Sequence, residues 1–132
     1  MCMSNLPSNI IGFEKFINSD VIKGTYPMVE KITVDEYDED TGDITFKIII
    51  NSPIINANNM YEEGFDPHYL IDNHIEKLSD YFNVPKTGEF SFDVYNRYNG
   101  YYVVGYEYKS NWKKKPIFYS ANKEGKKIIE FQ

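Results

Sequence analysis

The sequence lacks the features on which disulfide-rich, membrane and secreted proteins depend. It contains one cysteine, Cys2, so an internal disulfide is excluded. No run approaches roughly 18 apolar residues, which argues against a membrane-spanning helix, and the first residues show no secretory signal peptide. These absences predict an intracellular protein that meets no membrane.

Catalytic motifs are missing as well. The chain has no GxSxG nucleophile elbow, no GxxxxGK(S/T) phosphate loop and no GxGxxG dinucleotide motif. His68 and His74 are too far apart to share a helix face as a metal-binding pair would. In the acidic stretch 38–43, Gly42 falls where a calcium loop needs a ligand. The sequence therefore predicts a protein that is not an enzyme and holds no cofactor or metal.

Residue usage is narrow. There are 13 lysines but one arginine, Arg97, with only two alanines and three leucines. Ile, Asn, Lys, Tyr and Phe supply 63 of the 132 residues, and these types have AT-rich codons. This usage is typical of an AT-rich genome, bacterial or viral, so abundant lysine and tyrosine do not by themselves mark a site.

The net charge of −6 conceals an uneven distribution. Residues 30–80 carry 13 acidic residues and 3 lysines, whereas residues 109–132 carry 7 lysines and 2 glutamates. An acidic stretch and a basic end allow contact with two neighbours, or head-to-tail contact between copies. The acidic total argues against nucleic acid as a partner, because it repels a polyanion at long range.

The apolar pattern predicts two helices and three hairpins. One helix is expected at about residues 9–18, capped by Ser8, and a second is expected to start at Pro67 with Asp66 as its cap. Elsewhere apolar residues alternate, and the sequences DTG, YNG and KEG each fit a three-residue hairpin loop that ends in glycine. The glycines that need a positive φ in these loops are Gly42, Gly100 and Gly125.

Loops of three residues fix which strand residues face each other. The predicted partners are Val34 with Ile48, Ile32 with Ile50, Phe90 with Tyr108, Phe92 with Tyr106, Val94 with Val104, Tyr119 with Ile129, and Ile117 with Phe131. The element order α-β-β-α-β-β-β-β, without a βαβ rhythm, predicts a single α+β domain over residues 1–132. We expect a mainly antiparallel sheet of about six strands, with both helices on one face.

Two of the candidate partner-binding segments are a tyrosine-rich hairpin and a long link. Tyr102, Tyr106 and Tyr108 are predicted to face the core, and the residues left on the opposite face are Tyr95, Arg97 and Tyr101. The link 52–65 is long for a compact domain, and such links are often functional. Its apolar residues that can anchor it to its own core or to a partner include Ile54, Ile55 and Tyr61.

The third candidate segment is a predicted loop between two strands. Trp112 stands among lysines there, and the three that follow it are Lys113, Lys114 and Lys115. A buried aromatic anchor with a charged rim is the usual arrangement of an interface hot spot. We expect this loop to meet an acidic protein surface, with Trp112 as the anchor.

One constellation supports an enzymatic alternative. Asp93 and the sequence Glu107–Tyr108–Lys109 lie on paired strands of the second hairpin, with Asp93, Glu107 and Lys109 on its outer face. This resembles the D…ExK signature of metal-dependent nucleases, and the resemblance implies Mg²⁺ held by the carboxylates and a water oriented for phosphodiester cleavage. Those nucleases usually carry a helix after the ExK strand, whereas another strand follows here.

The leading expectation is a non-enzymatic interaction or assembly protein. Its partners would be proteins, including other copies of itself in a larger assembly. The AT-rich codon usage and the lack of motifs fit a bacteriophage virion component or a phage-encoded inhibitor of a host protein, in a virion or in the host cytoplasm. The alternatives are the Mg²⁺-dependent nuclease and a small-ligand binder with a cavity between helix and sheet.

Overall fold

The computed structural model describes residues 6–19, 24, 26–56, 59–109, 113–121 and 127–131. Helix α1 spans Ser8–Ile17, and strands β1 and β2 span Val29–Tyr37 and Ile44–Ile50. Helical segment α2 then runs through Pro67–Leu70, a wider π-helical turn at Ile71–Ile75, and Glu76–Tyr81. Four strands follow: β3 (Phe90–Asn96), β4 (Tyr101–Lys109), β5 (Lys113–Ala121) and β6 (Lys127–Phe131). Among these residues, none of the helices has the length and apolarity needed to cross a bilayer.

The strands form one sheet in the order β1-β2-β3-β4-β5-β6. β2 and β3 are parallel, with Ile44 opposite Phe90 and Ile50 opposite Asn96. The other neighbouring pairs are antiparallel. The α+β class is confirmed, but the first four strands form a mixed sheet. The prediction of an antiparallel sheet built from three hairpins is therefore wrong at the β2–β3 pair, which is parallel.

The parallel pair has a physical cause that the apolar pattern does not reveal. Parallel neighbours need a long crossover, and here the link 52–65 together with α2 supplies it. In both β2 and β3, buried residues alternate with half-buried ones. Parallel strands are usually apolar on both faces, so this alternation resembles that of antiparallel strands.

The three predicted hairpin registers have different outcomes. The β3–β4 register is confirmed for the pairs Phe90–Tyr108, Phe92–Tyr106 and Val94–Val104. In β1–β2, Ile32 faces Ile48 and Val34 faces Phe46, so the prediction is wrong by two residues; irregularities near Glu30 and Asp35 shift the pairing along the strand. In β5–β6 the prediction is wrong by one residue, since the pairs are Phe118–Phe131, Tyr119–Glu130 and Ser120–Ile129.

Two of the three loop glycines have the predicted backbone conformation. Gly42 and Gly100 have the expected positive φ, 82° and 79°, whereas Gly125 lies outside the described residues.

The core lies between the helices and one face of the sheet. On α1, the residues at helical spacing Ile10, Phe13 and Ile17 are fully buried, and the Phe13 ring meets Phe46 edge-on at 5.7 Å. Ser8 is the first residue of α1 and Pro7 occupies the N-cap position, so the predicted cap by Ser8 is wrong. Among the described residues, no side-chain hydrogen bond caps the start of this helix. At the start of α2 the predicted cap is confirmed, because the Asp66 carboxylate accepts a hydrogen bond from the backbone N–H of Tyr69 at 3.2 Å.

Helix α1 also covers the edge strand β1. The Asn18 side chain accepts a hydrogen bond from the Ile32 backbone N–H and donates one to the Ile32 carbonyl. The Glu14 carboxylate accepts a hydrogen bond from the Val34 N–H at 2.7 Å. Unpaired edge groups are a template for unwanted strand pairing, so these two side chains protect the middle of β1.

Candidate functional site

At the carboxyl ends of β2 and β3, the link and the β3–β4 turn are held together by one buried side chain. Asn96 is fully buried. Its amide oxygen accepts hydrogen bonds from the backbone N–H groups of Ser52 and Tyr98, at 3.2 and 3.1 Å. Its amide nitrogen donates to the carbonyl oxygens of Ser52 and Ile55, at 2.9 and 3.1 Å. The hydrogen-bonding capacity of Asn96 is thereby used, which fixes the start of the link against the turn.

Exposed aromatic and apolar side chains surround this anchor. Ile54, Tyr98 and Tyr101 are 57%, 62% and 46% exposed. At the same strand ends Arg97 forms a two-point ion pair with Glu30, with both nitrogen–oxygen distances at 2.7 Å. The pair raises the pKa of Arg97, chiefly through the hydrogen bond. We name this surface, made of Ile54, Arg97, Tyr98 and Tyr101, the strand-end patch.

A second exposed apolar surface lies on the helices. Phe16 and Tyr81 are 46% and 74% exposed, and their ring centroids are 6.4 Å apart. Phe82 packs against both rings, at 5.7 and 5.2 Å, and continues inward to Phe13. Ile11 is also exposed on α1. We name this surface, made of Ile11, Phe16, Tyr81 and Phe82, the helical patch.

The helical patch is pinned across the seam between α1 and α2. A Cβ at Gly12 would come within 3.1 Å of the Phe82 ring, so the glycine allows a close approach of the two elements. The Asn9 side-chain amide reaches the carbonyl oxygens of Phe82 and Asn83. Asn83 itself has a φ of 56°, a conformation that asparagine tolerates better than most residues. The turn after α2 is thus fixed by packing around glycine and by one amide.

The outer face of the sheet carries a third cluster. Tyr95 and Tyr102 face each other across β3 and β4, with ring centroids 5.1 Å apart. The Lys47 ammonium lies 5.0 and 5.5 Å from the two ring centroids, a cation–π arrangement. The prediction that Tyr102 faces the core is wrong, because a register shift after Val94 brings Tyr102 opposite Tyr95. Val103 is buried instead.

The end of the β1–β2 hairpin is acidic. An open depression of about 510 Å³ is lined by Glu36, Tyr37, Asp38, Glu39, Asp43 and Thr45. A smaller one of about 200 Å³ shares Asp43 and Thr45 and adds Glu89 and Glu107 among its lining residues. Burial raises the pKa of the Tyr37 hydroxyl, and the nearby Glu39 and Asp38 carboxylates raise it further. We name the larger depression the acidic depression.

The residues of the nuclease-like constellation are only partly described. Asp93 faces Gly105 and Glu107 faces Ser91 across β3 and β4. The two carboxylates therefore lie two positions apart along neighbouring strands, while the Lys109 side chain is not described. Within the described part of the chain, no three His, Cys, Asp or Glu side chains converge as metal ligands would.

The predicted partner-binding residues are divided by the fold. Arg97, Tyr101 and Ile54 all lie at the strand ends next to Asn96, and Tyr61 is exposed further along the same link. Ile55 is buried, so it anchors the link to the protein's own core and does not present a surface. Tyr95 lies on the outer sheet face. Trp112 lies outside the described residues. The predicted loop is wrong for Lys113, Lys114 and Lys115, because their backbone belongs to β5.

The sequence patterns do not predict Tyr98 or the helical patch as functional surfaces. Tyr98 belongs to the predicted YNG turn, and a turn residue with a large aromatic side chain is a signal for an exposed ring. On α1, the five apolar residues 10, 11, 13, 16 and 17 make a stripe wider than one buried face needs. The extra width of the stripe is the sequence feature that indicates exposure of Ile11 and Phe16.

Comparison with known proteins supplies no relative. No protein-family model, no curated protein and no solved structure matches this chain.

Proposed function

We propose that this protein acts by binding a protein partner through the strand-end patch, without catalysing a reaction. The observation that carries the proposal is the combination of exposed Tyr98, Tyr101 and Ile54 with a frame fixed by the buried Asn96. Tyrosine and arginine are enriched among interface hot spots. A surface that is already ordered loses less conformational entropy when it binds.

The polar residues at the edge of the strand-end patch also support partner binding there. The Arg97–Glu30 pair is joined by Asn51, whose side-chain amide donates to the Glu30 carboxylate at 3.1 Å. Such an exposed network adds little stability by itself. It fixes the orientation of the Arg97 guanidinium, which can contribute to specificity and to association rate.

The proposed setting is a bacteriophage virion or the cytoplasm of its host, with the protein as a virion component or as an inhibitor of a host protein. This part of the proposal is supported by the AT-rich residue usage and by the absence of catalytic motifs in the sequence. A basic contact at Trp112–Lys115 remains a prediction of the sequence alone.

The test is affinity capture with matched variants. Wild-type protein, the double variant Tyr98→Ala/Tyr101→Ala and the control Tyr69→Ala are each immobilised and exposed to lysate of the native source. Tyr69 is half exposed like Tyr101 but lies on α2. We expect a protein that wild type and control retain and the double variant loses, with a binding free energy weakened by roughly 2 kcal/mol or more.

The complementary measurement addresses catalysis. The protein is incubated with Mg²⁺ or Mn²⁺ and with DNA or RNA, and we expect the nucleic acid to stay intact. Metal-dependent cleavage that is lost in Glu107→Gln would replace the binding proposal with the nuclease.

A further inference from the structure

The β3–β4 turn contains the only asparagine of this sequence that is followed by glycine, Asn99 before Gly100. Asparagine is among the chemically least stable residues of proteins. Its side-chain amide can be attacked by the backbone nitrogen of the next residue, and a glycine there has no side chain to obstruct the approach. Every other asparagine of the chain precedes a residue with a side chain. The attack therefore meets the least steric hindrance at Asn99.

The fold presents this pair to solvent but holds it in a closed geometry. Asn99 is exposed, so water and base reach its amide. The Gly100 N–H donates a hydrogen bond to the Asn96 carbonyl at 2.9 Å, and the Asn99 amide oxygen accepts one from the Tyr101 N–H at 2.9 Å. To attack, the Gly100 nitrogen must lose its proton and turn toward the Asn99 side chain. Both hydrogen bonds oppose that change.

The buried Asn96 side chain keeps the turn closed. Its amide oxygen accepts hydrogen bonds from the Tyr98 N–H within the turn and from the Ser52 N–H of the link. Opening the turn therefore leaves buried polar groups without partners, which costs more than the loss of an exposed hydrogen bond. Such local opening sets the rate of reactions that the closed structure prevents.

We propose that Asn99 is a site of spontaneous deamidation, and that the Asn96 anchor limits its rate by keeping the turn closed. When the turn opens, the Gly100 nitrogen gives its proton to a solvent base and bonds to the Asn99 Cγ. The side-chain nitrogen takes up a proton and leaves as ammonia, and a succinimide ring remains. Water then opens this ring at either carbonyl and leaves a carboxylate. The reaction consumes one water, releases one ammonia and needs no oxidant or reductant.

The two products differ in the backbone. Opening at the former side-chain carbonyl gives aspartate with a normal backbone. Opening at the main-chain carbonyl gives isoaspartate, in which the chain runs through the side chain and is one carbon longer. Both products add a negative charge to the turn that carries Tyr98. Isoaspartate also changes the loop length, which fixes the pairing of Asn96 with Tyr101. Deamidation therefore alters the strand-end patch, and isoaspartate alters it more than aspartate.

The modification gives the strand-end patch a limited lifetime. Because the reaction is irreversible, partner binding through the patch declines as the protein ages. This consequence rests on the proposed function, whereas the modification itself does not. A partner that covers residues 97–101 should also hold the turn closed, so the bound protein should deamidate more slowly than the free protein.

The test follows the reaction in the full chain at mildly alkaline pH, where the glycine nitrogen loses its proton more readily. Ion-exchange chromatography separates the products, because each conversion adds one negative charge to a chain of net charge −6. Peptide mass mapping then assigns the converted residue. The samples are folded wild type, wild type unfolded in guanidinium chloride, and Asn96→Ala checked by a melting curve. Asn83, which is exposed and followed by Val84, is the internal control.

We expect conversion at Asn99 to be faster than at Asn83 in the unfolded chain. The unfolded chain should convert at Asn99 roughly tenfold faster than folded wild type, or more, since the closed turn must open before the reaction. Folded Asn96→Ala should lie between the two, about fivefold to tenfold faster than wild type, as the loss of a buried hydrogen bond implies.

Two results would overturn the inference. Conversion at Asn99 that is no faster than at Asn83 in the unfolded chain would remove Asn99 as the site. Equal rates in folded wild type and folded Asn96→Ala would remove the anchor as the limit on the rate.

Amide exchange in wild type decides the second point if Asn96→Ala does not stay folded. The fold should slow exchange of the Gly100 and Tyr98 N–H groups by the same factor as it slows conversion of Asn99, because one opening exposes all three. Different factors would show that the reaction does not pass through the opened turn, and would refute this part of the inference.

The effect on binding is measured separately. The isoaspartate form isolated by ion exchange and the variant Asn99→Asp are compared with wild type for the partner retained in affinity capture. We expect binding to weaken from wild type to Asn99→Asp to isoaspartate, and equal binding by all three would overturn the limited lifetime of the patch. If no partner is retained, the proposed function fails while the conversion rates still decide the modification, so the two failures are distinguishable.

Discussion

The strand-end patch and the helical patch both expose tyrosine, but different forces hold them in place. The strand-end patch rests on Asn96, whose four hydrogen bonds join the link to the turn. The helical patch rests on a stack of rings that runs from Phe46 through Phe13 and Phe82 to the surface. A hydrogen-bonded anchor fixes one geometry, whereas a packed stack tolerates small shifts at a graded cost.

This difference predicts how each surface fails. Loss of the polar anchor should free the link and disorder the strand-end patch while the core remains packed. Loss of a core ring should weaken the whole fold, because Phe13 packs against both the sheet and α2. Four substitutions, taken from the largest expected effect to the smallest, test this comparison.

Phe13→Ala should have the largest effect. Phe13 is fully buried, and truncation of such a ring typically costs about 3–5 kcal/mol. Phe16→Ala, on the same helix but half exposed, is the matched control and should cost about 1 kcal/mol or less. Denaturant unfolding of both variants measures the difference, and equal losses would contradict the packing described for α1.

Asn96→Ala should come next, at about 2–3 kcal/mol, because it leaves buried backbone groups of the link and turn without partners. The control is Asn99→Ala in the same turn, where an exposed side chain accepts one hydrogen bond from the Tyr101 N–H. Amide exchange should quicken at residues 52–56 in the first variant only. Unchanged exchange there would remove Asn96 as the anchor of the strand-end patch.

Asn18→Ala should cost about 1–2 kcal/mol, since it removes the side chain that pairs with both polar groups of Ile32. The exposed edge of β1 should also promote aggregation at high concentration. Asn73→Ala, a half-buried asparagine on α2 that donates to one carbonyl, is the control. Light scattering distinguishes the two, and equal scattering would argue against edge protection by α1.

His74→Gln should have the smallest effect, and only at acidic pH. Burial, and then the charge of Lys77, lower the pKa of His74 from its ordinary value of 6.5. As the pH falls through that value, the unfolded chain binds a proton that the folded protein resists, so stability declines. The glutamine variant has no such proton uptake, so its stability should fall less steeply as the pH falls. Identical slopes of stability against pH below about 6.5 in the two proteins would contradict the lowered pKa of the half-buried His74.

The sequence predicts local features of this fold better than its strand directions. Helix α1, the start of α2 and the register of β3–β4 follow from spacing, capping and turn chemistry, all of which act between near neighbours. The parallel β2–β3 pair depends on where α2 carries the chain, and alternation in Phe90–Asn96 is the same for either direction. Register shifts near Glu30 and Asp35 are likewise set by pairing across strands and not by the residues themselves.

The candidate surfaces also depend on contacts between distant parts of the chain, which sequence patterns do not reveal. Residue type and position in a turn or link predict Arg97, Tyr101 and Ile54 as candidates. Their common position at one end of the sheet depends on Asn96, which no sequence pattern indicates. Ile55 and Ile54 are adjacent and identical in sequence, but one is buried and the other exposed. The hydrogen bonds of the link and the packing of Ile55 in the core, not the residue type, set which of the two faces outward.

The most direct test of the central claim is amide hydrogen exchange of the protein with and without the partner retained in affinity capture. If the strand-end patch binds that partner, exchange should slow at residues 52–56 and 97–101 and stay unchanged across α1 and the end of α2. Protection confined to the helices or to β5 and β6, with residues 97–101 unaffected, would contradict the account.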